Sequence, residues 1–294
     1  MNYSVIDENF LQQIEMLHML VKNNVAGLFG GTHKSKNYGS SCEFEDYRDY
    51  MPGDDITKID WNVYARTENL YQKLYLDERQ MHTRIYIDAS RSMNFGSGDK
   101  ARQAIRLAAM LAYISVAEMD KVSIYVIRDK QVDVVVKGIV GKSAYLNHIG
   151  ALNEIEFDGD TYISDALLPT GVGYGDGMSG IIWDFLTDND FEGAINHLAD
   201  KRRDVLCIQV LSRAEINPQI RGKVLLFDSE SANRTYRKNV TRDIARAYKE
   251  ALQYTKDKIK NTCAARGASY IDVTAEDELA DVLFSRLVGI EVLK

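Results

Sequence analysis

The chain has 294 residues, of which 45% are hydrophobic and 27% are charged, and its formal net charge is −7. This composition is typical of a globular protein that can bury a core, and the acidic balance argues against a nucleic-acid binder that neutralises phosphates. Three widely spaced cysteines without a CxxC motif argue against a disulfide framework or a zinc site and favour a reducing compartment. The N-terminus is polar and no apolar run is long enough to cross a bilayer, so we expect a cytoplasmic protein without a membrane span.

Two stretches precede the first clear strand. Apolar residues at helical spacing predict a helix over residues 10–29. Residues 30–66 then alternate acids, aromatics and arginines. One interpretation of this block is a loop region held by ion pairs, with Arg48 and Arg66 buried against carboxylates and Trp61 packed on the core. The other interpretation is an exposed docking face for a partner.

A candidate site follows this block. The apolar run Ile85 to Ile87 predicts a short buried strand, with Asp88, Ser90 and Ser92 directly after it and an amphipathic helix beginning near Asp99. Open parallel sheets bind ligands at the carboxyl ends of their strands. One carboxylate and two hydroxyls are hard oxygen ligands of the kind that Mg²⁺ accepts. The alternative is a turn whose side chains only cap the following helix.

Apolar runs alternate with helical patterns through the rest of the chain. Strands are predicted at 85–87, 122–127, 181–186, 205–211 and 269–273, with an antiparallel strand at 132–136 and helices between them. This alternation predicts an α/β fold with a doubly wound, mostly parallel sheet and helices on both of its faces. The ends of its strands should bring Asp88, Thr161 and Asp184 to one edge of the sheet.

Thr161 and Asp184 extend the candidate site. Thr161 precedes a predicted helix that runs to Pro169, and its side chain could cap that helix. Asp184 stands at the end of the predicted strand 181–186, and Asp188 is a competing candidate a few residues further on. We prefer Asp184 because it follows the apolar run immediately.

The pattern Asp88-x-Ser90-x-Ser92 resembles the DxSxS signature of the metal-ion-dependent adhesion site in von Willebrand factor A domains. The segment around Thr161 is similar to the one that supplies a further hydroxyl in those domains. Asp184 matches their last acid, although Trp183 stands where a hydroxyl residue is usual. The resemblance implies Mg²⁺ or Mn²⁺ held by the three hydroxyls, with Asp88 and Asp184 acting mainly through waters. It also implies an open coordination position for a partner's carboxylate.

A second, longer pattern runs from Gly31 to Arg66 and continues into the DxSxS segment. It resembles the bacterial family called domain of unknown function 58, whose members pair such a block with a von Willebrand factor A-like domain. We therefore predict an N-terminal extension over residues 1–80 and a von Willebrand factor A-like domain over residues 81–294. The residues of the block that could serve docking or structure are His33, Glu43, Arg48, Asp54, Asp60, Trp61 and Arg66.

The two resemblances together imply a function without catalysis. They point to a divalent-metal-dependent protein-interaction module that works with a MoxR-type AAA+ ATPase in the assembly or maturation of a bacterial protein complex. The departure at Trp183 leaves open a scaffold that binds no metal. A Mg²⁺-dependent phosphotransferase or hydrolase is the third reading, but such enzymes need a second acid at position 90, where this chain has Ser90.

Overall fold

The computed structural model describes residues 4–24, 44–51, 56–75, 80–94, 99–172, 174–175, 177–187, 189–220, 222–227 and 235–287. The chain forms two compact units. The first comprises Met1–Ala26 and Met81–Leu293, and the second comprises Gly27–Gln80 together with Lys294.

The described strands are β1 Phe44–Asp49, β2 Tyr71–Tyr75, β3 His82–Asp88, β4 Lys121–Arg128, β5 Gln131–Ile139, β6 Met178–Trp183, β7 Asp204–Leu211, β8 Gly222–Phe227, β9 Thr235–Val240 and β10 Ser269–Thr274. The described helices are α1 Glu8–Asn24, α2 Trp61–Thr67, α3 Asp99–Ala117, α4 Gly141–His148, α5 Ile163–Leu167, α6 Glu192–Asp200, α7 Arg213–Ile216, α8 Arg242–Ala265 and α9 Leu279–Asp281, which continues as a π-helical segment over Val282–Leu287.

A six-stranded sheet in the order β10-β7-β6-β3-β4-β5 forms the centre of the first unit. Its strands pair in parallel, except that β5 runs antiparallel to β4. The central residues Ile85, Tyr86 and Ile87 are all at most 2% exposed. Successive side chains of a strand point to opposite faces, so both faces of this strand are covered. The predicted α/β fold class, with a mostly parallel sheet and one antiparallel strand, is confirmed.

Helix α1 belongs to the first unit, whereas it was predicted to be part of the extension over residues 1–80. The Arg106 guanidinium lies over the Phe10 ring at 5.8 Å from its centroid. Just before the helix, the backbone N–H groups of Val5 and Ile6 donate to Asn153 Oδ1 at 2.8 and 2.9 Å. These contacts come from side chains about 100 to 150 residues away in sequence, so helical spacing alone could not reveal them.

The stretch between β7 and α8 contains a strand pair that was not among the strands predicted above. Strands β8 and β9 pair antiparallel in a two-stranded sheet of their own, from Gly222 opposite Val240 to Phe227 opposite Thr235. The second strand is largely polar, so it lacks the apolar alternation by which a strand is recognised.

His82 lies at the amino end of β3 and should make stability pH-dependent. Its Nε2 is 2.9 Å from Ser123 Oγ. Burial, followed by the charges of Arg84, Lys121 and Arg203, lowers the pKa of His82 to about 4. The unfolded chain has an imidazole pKa of about 6.5 and therefore binds a proton more readily below that pH. The contribution of the neutral His82 to stability is then fully present above pH ~6.5 and is lost as the pH falls towards ~4.

We expect this loss to reach about 1–2 kcal/mol, because the partial exposure of His82 reduces the effect. Urea denaturation at pH 6.5 and pH 4.5 measures it, and the comparison protein is His82→Gln, whose side chain does not titrate. The variant should lose less stability than the wild type between the two pH values. Equal losses in the two proteins would assign the pH dependence to other groups.

Candidate metal centre

Backbone hydrogen bonds fix the loop that follows β3. The Ala89 N–H donates to Ile127 O at 2.9 Å, the Arg91 N–H donates to Gly159 O at 3.0 Å, and the Asp158 N–H donates to Ala89 O at 2.9 Å. The loop is therefore joined both to the end of β4 and to the segment that carries Thr161. A short 3₁₀ turn over Arg91–Asn94 follows and buries Ser92.

Thr161 lies on a different segment of the chain and contacts the Asp88 carboxylate. Gly159 precedes it with φ +78°, a left-handed conformation that favours glycine. The Thr161 hydroxyl donates to Asp88 Oδ1. Helix α5 has Tyr162 at its N-cap position and no side-chain capping bond. The alternative in which Thr161 caps this helix is therefore wrong, and its hydroxyl belongs to the carboxylate cluster.

Asp184 follows β6 directly and completes the cluster. Its Oδ2 accepts from the Ser92 hydroxyl at 2.8 Å, and its Oδ1 accepts from the Leu186 N–H at 3.0 Å. Phe185, the next residue, has φ +55° and turns the chain sharply away from the strand. The competing candidate Asp188 lies outside the described residues.

The hydroxyls of the cluster donate hydrogen bonds to the carboxylates. Ser90 Oγ donates to Asp88 Oδ2 at 2.7 Å, Ser92 donates to Asp184, and Thr161 donates to Asp88. The oxygens of Ser90 and Ser92 lie 3.0 Å apart. A hydroxyl has one proton and two lone pairs, so each of these oxygens retains acceptor capacity. Hard oxygens with free lone pairs fit the ligand preference of Mg²⁺ or Mn²⁺.

The cluster brings two acids together with little access to water. Asp88 is 2% exposed and Asp184 is 1% exposed. Burial raises the pKa of Asp88, the Asp184 carboxylate raises it further, and the hydrogen bonds from Thr161 and Ser90 oppose this shift. A cation bound here would offset the cost of holding the two carboxylates close together. The donor set thus suits a divalent ion electrostatically as well as chemically.

Lys100 and Glu215 also belong to the cluster, although neither was predicted from the sequence. The Lys100 ammonium donates to Asp184 Oδ2 at 2.9 Å and to Glu215 Oε1 at 2.6 Å. Burial works to lower the pKa of Lys100, but the Asp184 and Glu215 carboxylates outweigh it, and the pKa is raised overall. One signal was present: Lys100 is the second residue of α3, where the helix dipole disfavours a cation.

Among the described ranges, no group of three or more His, Cys, Asp or Glu side chains could hold a metal ion. An ion at Asp88 and Asp184 would therefore depend on hydroxyl and water oxygens for the rest of its coordination. That is the arrangement in which Mg²⁺ binds through few protein ligands and keeps several waters. The metal-binding role of the five predicted residues stays a prediction.

The second unit is organised around Asp60 rather than around buried arginines. Asp60 Oδ1 accepts from the N–H groups of Asn62 and Val63 at the start of α2, and its Oδ2 accepts from Tyr47 Oη at 2.8 Å and lies 3.1 Å from Lys73 Nζ. The hydrogen bond from Tyr47 is the main cause that lowers the pKa of Asp60 to about 2. This residue is 5% exposed and joins α2 to both strands of the unit.

The expectation that Arg48 and Arg66 are buried against carboxylates is wrong. Both side chains are exposed, and Arg48 donates to Gln72 Oε1 at 3.0 Å. Trp61 is 59% exposed instead of packed on a core, and its ring meets Tyr64 edge to face. Helix α2 is short and has no buried residue. The remaining candidates of the block, His33, Glu43 and Asp54, lie outside the described residues.

The strand order and the antiparallel strand β5 define a doubly wound, von Willebrand factor A-like domain. The chain belongs to the family described as "Protein of unknown function DUF58", whose model matches residues 46–258. This confirms the family resemblance stated from the sequence. No helix in the described part of the chain is long and apolar enough to cross a membrane.

Relatives and structural neighbours have the following similarities. The uncharacterized proteins Mb1516 of Mycobacterium bovis and Rv1480 of Mycobacterium tuberculosis are each 26% identical, over 76% of this chain and 72% of theirs. The SpRpn10 VWA domain is 10% identical with a TM-score of 0.38, covering 71% of this chain and 97% of that chain. The pilus adhesin SpaC from Lactobacillus rhamnosus GG, in its open conformation, is 10% identical with a TM-score of 0.41, covering 74% of this chain and 30% of that chain. The fold assignment depends on the strand order of the six-stranded sheet.

Proposed function

We propose that this protein is a non-enzymatic, divalent-metal-dependent protein-interaction module. The observation that carries the proposal is the direction of the hydrogen bonds within the cluster. Ser90, Ser92 and Thr161 all donate to the carboxylates of Asp88 and Asp184. The lone pairs of their oxygens, not their protons, would therefore be available to a cation.

The residues divide into two roles in this proposal. The hydroxyl oxygens of Ser90, Ser92 and Thr161 would hold Mg²⁺ or Mn²⁺ directly, and the carboxylates of Asp88 and Asp184 would act mainly through waters and balance the charge. When bound, the ion supplies a positively charged position that accepts a carboxylate from a protein partner. The protein's own residues keep the hydroxyls oriented and keep bulk water away from the acids.

Catalysis is disfavoured by the chemistry of the same residues. Ser90 stands at the position where a phosphotransferase of the DxD type needs a carboxylic acid. The Ser90 hydroxyl donates directly to Asp88, with no histidine between them. A serine nucleophile is normally activated by an adjacent histidine that takes its proton. These residues therefore support a role in binding rather than in bond breaking.

For the partner we propose a MoxR-type AAA+ ATPase, with a role in the assembly or maturation of a bacterial protein complex. The support is the family to which the chain belongs and the sequence resemblance on which the expectation was based. Size-exclusion chromatography of the two purified proteins should show a complex in Mg²⁺ that dissociates in EDTA. A complex that survives EDTA and the change Ser90→Ala would count against the metal-bridged form of the proposal.

Magnesium should stabilise the folded chain against heat. For an assumed dissociation constant of ~1 mM, ~10 mM Mg²⁺ contributes about 1.4 kcal/mol through selective binding to the native state. For a chain of 294 residues this corresponds to a melting shift of a few degrees at most. Differential scanning fluorimetry with and without Mg²⁺ measures it, and Asp88→Ala should abolish the shift.

Two acids serve as controls for that measurement. Asp158 is exposed and pairs with Arg91 outside the cluster, so Asp158→Ala should retain the Mg²⁺ shift. Asp188→Ala should retain it as well if Asp184 is the acid of the site. A shift that persists in Asp88→Ala would place the ion elsewhere, and no shift in the wild type would favour the metal-free scaffold.

A further inference from the structure

A lysine lies inside the candidate metal centre and shares one of its oxygens. Lys100 Nζ and the Ser92 hydroxyl both donate to Asp184 Oδ2, at 2.9 and 2.8 Å. The Lys100 side chain is 3% exposed and that of Asp184 is 1% exposed. An ammonium removed from water to this degree must be paired with an opposite charge. The cluster therefore already contains one cation that is part of the protein, the Lys100 ammonium.

Glu215 gives this ammonium a second partner. Its Oε1 lies 2.6 Å from Lys100 Nζ, and its side chain is 24% exposed. Its Oε2 accepts from the N–H and the hydroxyl of Ser212, both at 2.8 Å, in a capping box at the start of α7. Glu215 is thus held in place by the end of β7 independently of Lys100.

The location of Lys100 adds to this argument. Lys100 is the second residue of α3, and the positive end of the helix dipole makes that turn unfavourable for a cation. Tight pairing with two carboxylates from distant parts of the chain compensates for that. A lysine whose only role was solubility would extend into water from this turn.

We propose that Lys100 is an internal counter-ion that competes with the divalent cation for Asp184 and so keeps the affinity of the site for metal low. This inference rests on the proposed function and specifies its regulation. Without metal, the ammonium neutralises Asp184. When the ion binds, the ammonium pairs with Glu215, which is already in contact with it. Metal binding would then require the Lys100 ammonium to give up its contact with Asp184 and to keep its contact with Glu215.

Charge counting gives the direction of the effect. The Lys100 ammonium contacts Asp184 and Glu215, and Asp88 lies next to Asp184, so the four ionised groups carry a formal charge of −2 that a divalent ion would neutralise. Replacing Lys100 by methionine leaves −3 and removes a like charge from the neighbourhood of the ion. Replacing Glu215 by glutamine leaves −1 and confines the ammonium to Asp184. The two changes should therefore shift metal affinity in opposite directions.

Isothermal titration calorimetry with MgCl₂ alone, and with MnCl₂ alone, tests this on the full chain. Lys100→Met should bind the ion at least about tenfold more tightly than the wild type, and Glu215→Gln should bind it several-fold more weakly. Lys100→Arg, which keeps the charge, should stay close to the wild type. The matched control is Lys256→Met, because Lys256 also pairs with an acid, Asp272, at 2.9 Å, but away from the cluster. It should leave the affinity unchanged.

The outcomes separate the two proposals. If the wild type binds the ion and Lys100→Met binds it no more tightly, Lys100 is structural and the inference fails while the proposed function stands. If no variant binds either ion, both fail. If Lys100→Met does not fold, Glu215→Gln decides, and unchanged affinity in that variant overturns the competition. A Mg²⁺-induced melting shift that is larger in Lys100→Met than in the wild type would support the inference independently.

Discussion

Phe185→Ala should lower the free energy of unfolding by about 3–5 kcal/mol, the range for removing a buried aromatic ring. Phe185 is 1% exposed. Its ring lies 4.8 Å from that of Trp183 and 5.8 Å from that of Phe191, measured between centroids. This aromatic group fixes the chain immediately after Asp184, so its loss should loosen the acid of the candidate site. Urea denaturation followed by tryptophan fluorescence measures the change.

Phe185→Gly should be less harmful than Phe185→Ala, by about 1 kcal/mol. The backbone at this position has φ +55°, where a side chain costs about 1–2 kcal/mol and glycine does not. Elsewhere glycine is usually worse than alanine because the unfolded chain gains more freedom. The two variants therefore test the backbone conformation separately from the ring.

Phe191 provides the matched control for this reversal. It is 4% exposed and belongs to the same aromatic group, but its φ is −113°. Phe191→Gly should then destabilise more than Phe191→Ala. If glycine were the worse substitution at both positions, the left-handed conformation after Asp184 would not exist in solution.

The residues around Asp184 differ from the usual von Willebrand factor A pattern, and the aromatic side chain at position 185 accounts for this difference. Von Willebrand factor A domains usually place their last acid in Thr-Asp-Gly, whereas this chain has Trp183, Asp184 and Phe185. The structure keeps the turn that a glycine would make easily, and packing of the two aromatic rings holds it. The sequence match at this position is weaker because side-chain packing, instead of the backbone preference of a glycine, holds the turn. A short sequence motif does not record such packing.

Much of the fold could be predicted because the signals are local. The short apolar run at Ile85 to Ile87 predicted β3, and the strand predicted at 132–136 is antiparallel as expected. Strands that end at one edge of a parallel sheet bring their following residues together, which is why Asp88 and Asp184 could be expected in one place. The structure connects both acids to the predicted hydroxyls.

Long-range pairing could not be predicted in the same way. Lys100 and Glu215 stand 115 positions apart, and nothing in the spacing of either residue indicates the other. The misjudged arginines show the same limit, because alternating charges in residues 30–66 do not tell which side chains are covered. Arg48 is exposed, while Asp60 is covered and caps a helix. Burial is decided by tertiary packing, and composition gives only its average.

Asp184→Ala should destabilise the metal-free protein by about 3 kcal/mol. The substitution removes the acceptor of the Ser92 hydroxyl and the Leu186 N–H, and it leaves the Lys100 ammonium with Glu215 alone. Breaking a buried ion pair from one side costs about 3–5 kcal/mol, and the remaining carboxylate keeps the expected value at the lower end. Urea denaturation in EDTA gives the value without any contribution from metal.

Asp184→Asn separates charge from hydrogen bonding at the same position. The amide keeps one oxygen that can accept from Ser92 or from Lys100, so the expected loss is smaller, about 1–2 kcal/mol. A double-mutant cycle of Asp184→Asn with Lys100→Met then measures the coupling between the two side chains directly. We expect the double variant to be more stable than the sum of the two single losses predicts, because it no longer contains a buried ammonium beside a missing charge. Additive losses would mean that Lys100 and Asp184 do not interact in solution, and the internal counter-ion would lose its structural basis.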